Sequence, residues 1–573
     1  MKRYWWVIAI VGVVLLNVAA HFCVLRLDLT DDQRYSLSTA TKELLHELDA
    51  PVEVTVYLAG DLNPSFQRLK NATAEMVEEM GNFASVKSRS FTSSENAAGR
   101  STPVADDTNR GRDARVPSST EEPEELGLTP IVIHERAHNG TTVQQTVYPY
   151  ALVRYKGRMA VVSLLQNNRG MSGEENLNAS IENLEYAFAE AIHQVQQTEV
   201  PKVAFLEGHG ELPEQNVYDI SLALSKYFQI DRGVLGSDPS VLDGYQAVVV
   251  ADPQMPFSEA DKYILDHYIQ QGGNVLWVLN GVRFSEEVLA QSGFTPVLAL
   301  DLNLTDMLFR YGVRVNPALL QDVQCLPVPV NVSSDPQQPN LQPVPWYYAP
   351  LLLTSQVSPI TRNIGQVSSM FASPVDIVGG EDGIRKEVLL ATSTATRLIP
   401  TPAEVDLGDL NPDMSTFRYQ YVPVAVALEG RFPSVFAHRM VPEGIDGAAA
   451  GNGVRKESEV SRQVVVASGS VIRNEIQQGK ALPAGYDRYS GMQFANRDFL
   501  VNAVLYLTDE QGLIPLRQKT IALRLLNDRR AHEQRTQMQL FSTITPVALL
   551  TLIGLIVFLI RRYKYTGAYA ARS

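Results

Sequence analysis

The chain has 573 residues, with 63 acidic against 49 basic side chains and a formal net charge of −14. This balance offers no electrostatic footprint for nucleic acid. Two cysteines, Cys23 and Cys325, exclude a disulfide framework, so the chain must rely on ordinary hydrophobic cores. After Met1-Lys2-Arg3, residues 4–25 form an apolar run broken only by Asn17 and His21, close to the roughly 20 residues that span a bilayer as a helix. The sequence reads this run as a retained anchor over residues 1–26. The alternative is a cleaved signal peptide, since Val18-Ala19-Ala20 supplies the small residues that cleavage needs.

Beyond the anchor, residues 38–48 read as a helix with Ser38 as its N-cap. Residues 52–58 (VEVTVYL) alternate and are β-branched, which predicts a strand. Residues 65–80 predict a helix, and 83–91 a second strand. Residues 92–125 are rich in Ser, Asn, Asp, Arg and Pro with few large apolar side chains, the composition of a disordered loop. The segments 131–133 and 141–147 flank Asn139-Gly140, a strong hairpin signal. Further strand is expected over 153–165. Leu177, Ile181, Leu184, Phe188 and Val195 then share one helical stripe across 176–195. This order predicts a thioredoxin-like α/β domain over 27–198, without a CxxC pair and so without an implied redox role.

A second unit begins after Val200-Pro201. Short apolar strands at 203–206, 247–251 (AVVVA) and 274–279 (NVLWVL) alternate with helices at 217–228 and 258–269. Ser258 and Asp261 have capping-box spacing at the start of the latter. Strands alternating with helices of this length build βαβ units around a parallel sheet, here a Rossmann-like domain over 199–480 with an additional, less regular α+β region. Residues 481–540 carry a helix at 496–507 and a segment at 513–526 that leads toward the membrane. The apolar residues 544–560 lie within a second transmembrane helix at 541–562, which Arg561-Arg562-Tyr563-Lys564 closes. A short tail at 563–573 follows.

The basic clusters lie on the outer sides of the two apolar runs, which predicts cytoplasmic termini and an exported main body. Arg517, Lys519, Arg524, Arg529, Arg530 and Arg535 precede the second run on the opposite side. Long domains translocate largely regardless of charge, so the short tails decide the orientation.

Two motifs invite chemistry. His134-Glu135-Arg136-Ala137-His138 matches H-E-x-x-H, which holds zinc only on a helix. In its hairpin setting the two histidines stand about 13 Å apart at roughly 3.3 Å per residue, too far to share a metal. The second motif is Glu207-Gly208-His209-Gly210-Glu211, directly after the first strand of the parallel unit. Ligands of open α/β sheets bind beyond the carboxyl ends of strands, and a histidine between two carboxylates there can act as acid, base or ligand. The competing reading is a tight turn with its histidine tied into the protein. No G-x-S-x-G elbow and no phosphate-binding G-x-x-x-x-G-K-[ST] loop is present in the sequence, so coupling to nucleotide hydrolysis requires a separate ATPase subunit. Trp346-Tyr347-Tyr348 reads as core packing rather than a sugar-stacking platform.

Four stretches carry a family resemblance: LDLTDDQRYSLSTATKELLHELDAPVEVTVYLAGDLNPSFQRLKNAT at 27–73, VAFLEGHGELPEQNVYDISLALSKYF at 203–228, PWYYAPLLLTSQVSPITRNI at 345–364 and NRDFLVNAVLYLTDEQGLIPLRQKTIALRLL at 496–526. Together they resemble the gliding motility-associated ABC transporter substrate-binding protein, the G component of the Gld system of Bacteroidetes. The resemblance implies an extracytoplasmic auxiliary subunit paired with a multi-span permease and a cytoplasmic ATPase in the inner membrane. It implies a central ABC-transporter auxiliary domain, related in fold to a domain of intraflagellar transport proteins. It implies no catalytic residues, metal or cofactor. The expected protein is thus a non-enzymatic membrane subunit serving gliding motility or secretion, with a cell-envelope component or glycan as a further ligand. The alternative is an exported glycan-binding protein or hydrolase that uses the Glu207 to Glu211 turn.

Overall fold

The computed structural model describes residues 37–58, 62–90, 123, 126, 128–136, 142–166, 173–197, 200–331, 341–379, 383–445, 455–509 and 535–566. The expected N-terminal anchor, nearly all of the 92–125 loop, His138 and the 513–526 segment lie outside the described residues. Contacts divide the chain into a compact unit through Thr520 and a second unit from Ile521. The first is a mixed α/β structure.

Its opening helix, α1 (Thr39–His46), starts where Ser38 Oγ accepts the Thr41 amide, as the sequence predicts. The next elements are β1 (Val52–Val56), α2 (Pro64–Gly81) and β2 (Val86–Ser90). Asn63 caps α2 and Pro64 occupies its first turn, where a missing N–H costs nothing. The hairpin β3 (Ile131–Arg136) and β4 (Thr142–Val147) pairs Glu135 with Val143, so His134 lies on a strand and not on a zinc-binding helix. The strand expected at 153–165 is instead part of a hairpin, β5 (Tyr150–Tyr155) and β6 (Arg158–Ser163). It turns at Lys156-Gly157, both with positive φ, the backbone that two-residue hairpins require. The sheet order is β2-β1-β5-β6, with β1 parallel to β2 and antiparallel to β5.

The helix expected at 176–195 is divided at Asn183 into α3 (Gly173–Glu182) and α4 (Leu184–Gln196). Leu184, Tyr186, Phe188, Ala189, Ile192 and Val195 are all buried, because α4 lies between the first sheet and the next. One hydrophobic core runs through it from Leu44 and Val54 to Phe205 and Leu500. Glu185, 1% exposed, accepts the Ser38 amide at 2.7 Å and the Thr41 hydroxyl at 2.9 Å, which fastens α1 to α4. Glu185→Ala leaves the Ser38 amide without its acceptor at a cost of about 1–2 kcal/mol, while the Thr41 hydroxyl keeps the Ser38 hydroxyl at 2.9 Å. Limited proteolysis should then cut near α1 sooner than in the parent. Unchanged cleavage would show that α1 is held by its apolar face alone.

The larger sheet follows from β7 (Lys202–Leu206), α5 (Tyr218–Leu224), β8 (Gln229–Gly233), β9 (Tyr245–Ala251), α6 (Glu259–Gln270) and β10 (Asn274–Val278). Helices α7 (Glu286–Ser292) and α8 (Thr305–Tyr311) lead to the region that the sequence left irregular. That region holds β11 (Cys325–Asn331), β12 (Leu341–Thr354), β13 (Arg385–Ala391) and β14 (Pro423–Pro433); β15 (Glu457–Val466) and the expected helix, α9 (Asn496–Leu507), follow it. The order is β11-β12-β13-β14-β15-β10-β9-β7-β8. Strands β8, β7, β9, β10 and β15 are mutually parallel, and β14 begins an antiparallel extension.

Both faces of the parallel part are buried, which explains its continuous apolar runs. Val203, Phe205, Val249, Leu276 and Val464 face one core together with Phe499 and Leu500 of α9. Ala204, Val248, Val250, Trp277 and Val465 face the other, against Ile264, Leu265 and Tyr268 of α6. On β11, Pro327 and Pro329 stand opposite Pro345 and Pro343 of β12, at the sheet's outer edge.

The second unit contains α10 (Arg535–Thr566). Within it Gln539–Ile560, 22 residues of mean hydropathy 2.5, is long and apolar enough to cross a membrane, and none of it is buried by protein. At 1.5 Å per residue the segment is about 33 Å long, matching a hydrocarbon core of roughly 30 Å. Thr551 returns its hydroxyl to the Val547 carbonyl at 2.7 Å, so its polar group is satisfied within the helix.

Candidate functional site

Taken in chain order, the parallel strands β7, β8, β9, β10 and β15 lie in the spatial order 2-1-3-4-5. Such a sheet reverses direction between its first and third strands, and the crevice at their carboxyl ends is where ligands bind in open α/β proteins. The loops following β7 and β9 flank that crevice here. The sequence-predicted turn, Glu207 to Glu211, is the first of them.

The turn is bound across the crevice rather than held open. Gly208 and Gly210 have φ of +116° and +73°, conformations that side chains rarely adopt, and they bring the His209 carbonyl against the β9 loop. That carbonyl accepts the amides of Gln254 and Met255, each at 2.8 Å, and the Leu212 amide donates to the Ala251 carbonyl at 2.9 Å. His209 is buried and its ring stacks on Phe257, with centroids 3.7 Å apart. Nδ1 lies 3.1 Å from Glu211 Oε1 and Nε2 lies 3.2 Å from Asp261 Oδ2. The His209 amide also donates to Glu211 Oε2 at 2.6 Å. Asp261 is at the same time the capping-box residue of α6, bonded by the Ser258 hydroxyl and amide.

Burial opposes a charge on this ring, but hydrogen bonds to Glu211 and then Asp261, with their charges, outweigh it and raise the imidazole pKa. Burial likewise pushes the Glu211 carboxyl up, while the His209 hydrogen bond and nearby amides bring it below its ordinary value. The result is an imidazole ring held between two carboxyl groups that favour its protonated form. Glu207 is separate from it: its carboxylate accepts from Arg232 Nε of β8 at 2.8 Å and is half-exposed. The structure therefore joins His209 with Glu211 and turns both inward, leaving Glu207 and the exposed Gly208 and Gly210 toward solvent. With both ring nitrogens engaged, His209 has no free position from which to act as a base.

A neighbouring group was not marked by the sequence reading. Asp252, the first residue after β9, has φ of +54° and is 8% exposed. Its Oδ1 accepts from Asn280 Nδ2 at 2.6 Å and Gln254 Nε2 at 2.9 Å. The available signal was its position: an aspartate directly after AVVVA, at the carboxyl end of a central strand.

Among the described residues no group of three or more His, Cys, Asp or Glu side chains could hold a metal ion. A cavity of about 70 Å³ lies at the other end of the sheet, lined by residues that include Glu190, His193, Gln246 and Thr508. It is far smaller than the roughly 300–1,000 Å³ of small-molecule sites. Trp346 and Tyr348 are 2% and 3% exposed within a hydrophobic core, as the core-packing reading expects.

These features define an open α/β module whose customary ligand crevice is occupied by its own side chains, in a chain that holds, among the described residues, one helix suited to a membrane. The chain belongs to the family described as ABC-type uncharacterized transport system, which matches residues 200–503, more than half its length. Residues 31–154 match a domain of unknown function (DUF7088). No curated protein matches the chain. Among solved structures it is similar to one described as the mmIFT52 N-terminal domain, at 14% identity over 54% of this chain and 97% of that one, with a TM-score of 0.30.

Proposed function

We propose that the protein is a non-enzymatic auxiliary subunit of a bacterial inner-membrane ABC transporter, with its main body in the periplasm and both termini in the cytoplasm. It works with a separate multi-span permease and a cytoplasmic ATPase, in gliding motility or secretion, and contributes substrate binding outside the membrane. The observation that carries this reading is membership of the transport-system family over residues 200–503. The apolar span Gln539–Ile560 supports membrane residence. The strand order β2-β1-β5-β6, with its one parallel pair, supports a thioredoxin-like first domain. The parallel strands with both faces covered support a Rossmann-like second one. A ligand at the Glu207 to Glu211 turn meets Glu207 and the glycine backbone, because His209 is turned inward.

The test is affinity purification of the full chain from membranes in mild detergent, with mass spectrometry of what accompanies it. The expected result is stoichiometric recovery of a multi-span permease and an ATPase. Recovery of the protein alone would overturn the subunit assignment.

A further inference from the structure

The two main sheets end in the outer strands β2, β6, β8 and β11. An outer strand presents unpaired amides and carbonyls to other chains, and charges or prolines along it discourage pairing. Three of these strands carry such residues: β2 reads VKSRS, β8 reads QIDRG and β11 reads CLPVPVN. Strand β6 reads RMAVVS and runs on into Leu164 and Leu165, so the stretch 159–165 has neither a charge nor a proline. Among the described residues no strand pairs with its outer side.

The direction of the open backbone groups follows from the ladder to β5. The Leu164 amide donates to the Pro149 carbonyl at 2.9 Å, on the β5 side. Backbone groups reverse direction at each residue of a strand, so Ala160 and Val162 also bond toward β5. Met159, Val161 and Ser163 therefore turn their amides and carbonyls to the open side. Side chains alternate too. Ala160 and Val162 are buried in the core that holds Phe188 and Ile192 of α4, whereas Met159 and Val161 are 55% and 47% exposed. On that outer face Val161 stands opposite Leu152, which is buried in a small cluster with Tyr57 and Leu128.

The strand that fits this border is extended, uncharged and apolar at alternate positions, and β6 itself meets that description. Paired antiparallel about Val161, two copies set Val161 against Val161 and Met159 of each against Ser163 of the other. In this register the three open residues pair with one another, and Arg158 meets Leu164 rather than a second arginine. We propose that β6 joins two copies of this chain, the small sheet of one continuing into that of the other across a two-fold axis. The contact is isologous, each copy offering the same patch, and it asks of the second copy nothing that β6 does not provide.

Light scattering of the purified full-length protein in mild detergent tests the pairing. The parent should have the protein mass of two chains. Val161→Lys, which sets like charges directly opposite, should have the mass of one. The register has its own readout, in a background carrying Cys23→Ser and Cys325→Ser. There Val161→Cys should form an interchain disulfide under mild oxidation, because hydrogen-bonded antiparallel residues lie about 5.5 Å apart at Cα, within bridging range. Met159→Cys should not, since its two copies stand about 13 Å apart along the strands. A parent of single-chain mass, or equal cross-linking at both positions, would overturn the proposal. A parent of single-chain mass whose Val161 amide is still protected from hydrogen exchange would give the border to a foreign strand instead. If Val161→Lys does not fold, the two cysteine variants decide.

Discussion

Replacing His209 by alanine should lower the unfolding free energy by about 3 kcal/mol, the cost of breaking one side of a buried ion pair. The Glu211 side chain is 1% exposed and would keep its burial while losing the imidazole. Phe257 would lose its stacked partner, and Asp261 would keep its capping bonds to Ser258. The effect should depend on pH in a defined window. His209 has a raised pKa, so its contribution is complete below the ordinary value of 6.5 and is lost as pH rises through the raised one. Glu211 has a lowered pKa, so its contribution is complete above 4.5 and is lost as pH falls through the lowered one. Denaturant midpoints of parent and variant should therefore lie farthest apart between those limits and converge on both sides. A constant gap across pH would mean that ring packing, not charge, fastens the turn. Loss of transport by this variant would report on folding first, which makes Glu207 the better residue for probing a ligand.

Trp277→Ala should cost about 4 kcal/mol, within the range for emptying a large aromatic site in a core. Trp277 is fully buried on β10, between β9 and β15, in the core that also packs α6. Its indole nitrogen donates to Gln463 Oε1 at 2.8 Å. The Gln463 Nε2 atom has no acceptor among the described residues, so loss of the indole strands the whole amide. Trp277→Phe should recover most of the packing and leave about 1–2 kcal/mol for the orphaned amide. The two variants separate volume from hydrogen bonding in one set of denaturation curves. Equal losses in both would place the energy in the hydrogen bond and contradict the packing account.

Elements with strong local signals were legible in the sequence. The capping box at Ser258 and Asp261, the helix at 496–507 and the apolar strands at 203–206, 247–251 and 274–279 all follow from period, caps and burial on two faces. The structure supplied what local pattern does not encode. Strand β8 reads QIDRG, too polar to announce itself, because it lies at the sheet's edge and is half-exposed. The helix expected at 217–228 ends early, at Leu224, and a turn over 225–228 leads into this strand. Strand β13 pairs with β12 and β14 across long separations, β11 and β12 carry prolines, and no short-range period marks them. The His209 turn was legible as a place, since a glycine-flanked histidine follows a strand. Its partners were not: Asp261 is 52 residues away, and its capping spacing gave no hint of a second bond. Asp252 was hidden for the same reason, since Asn280 reaches it only through the strand order.

The prolines of β11 have a consequence for molecules crowded side by side. Directly opposed residues of an antiparallel pair exchange two hydrogen bonds or none, and a proline facing a proline can exchange none. Pro327 with Pro345 and Pro329 with Pro343 must then be the non-bonded pairs, which turns the ring nitrogens of Pro327 and Pro329 toward the open side. That border offers a foreign strand two missing donors where a ladder would need them. At high local density, where colliding sheets could otherwise zip into fibrils, propagation through this border is blocked by composition alone.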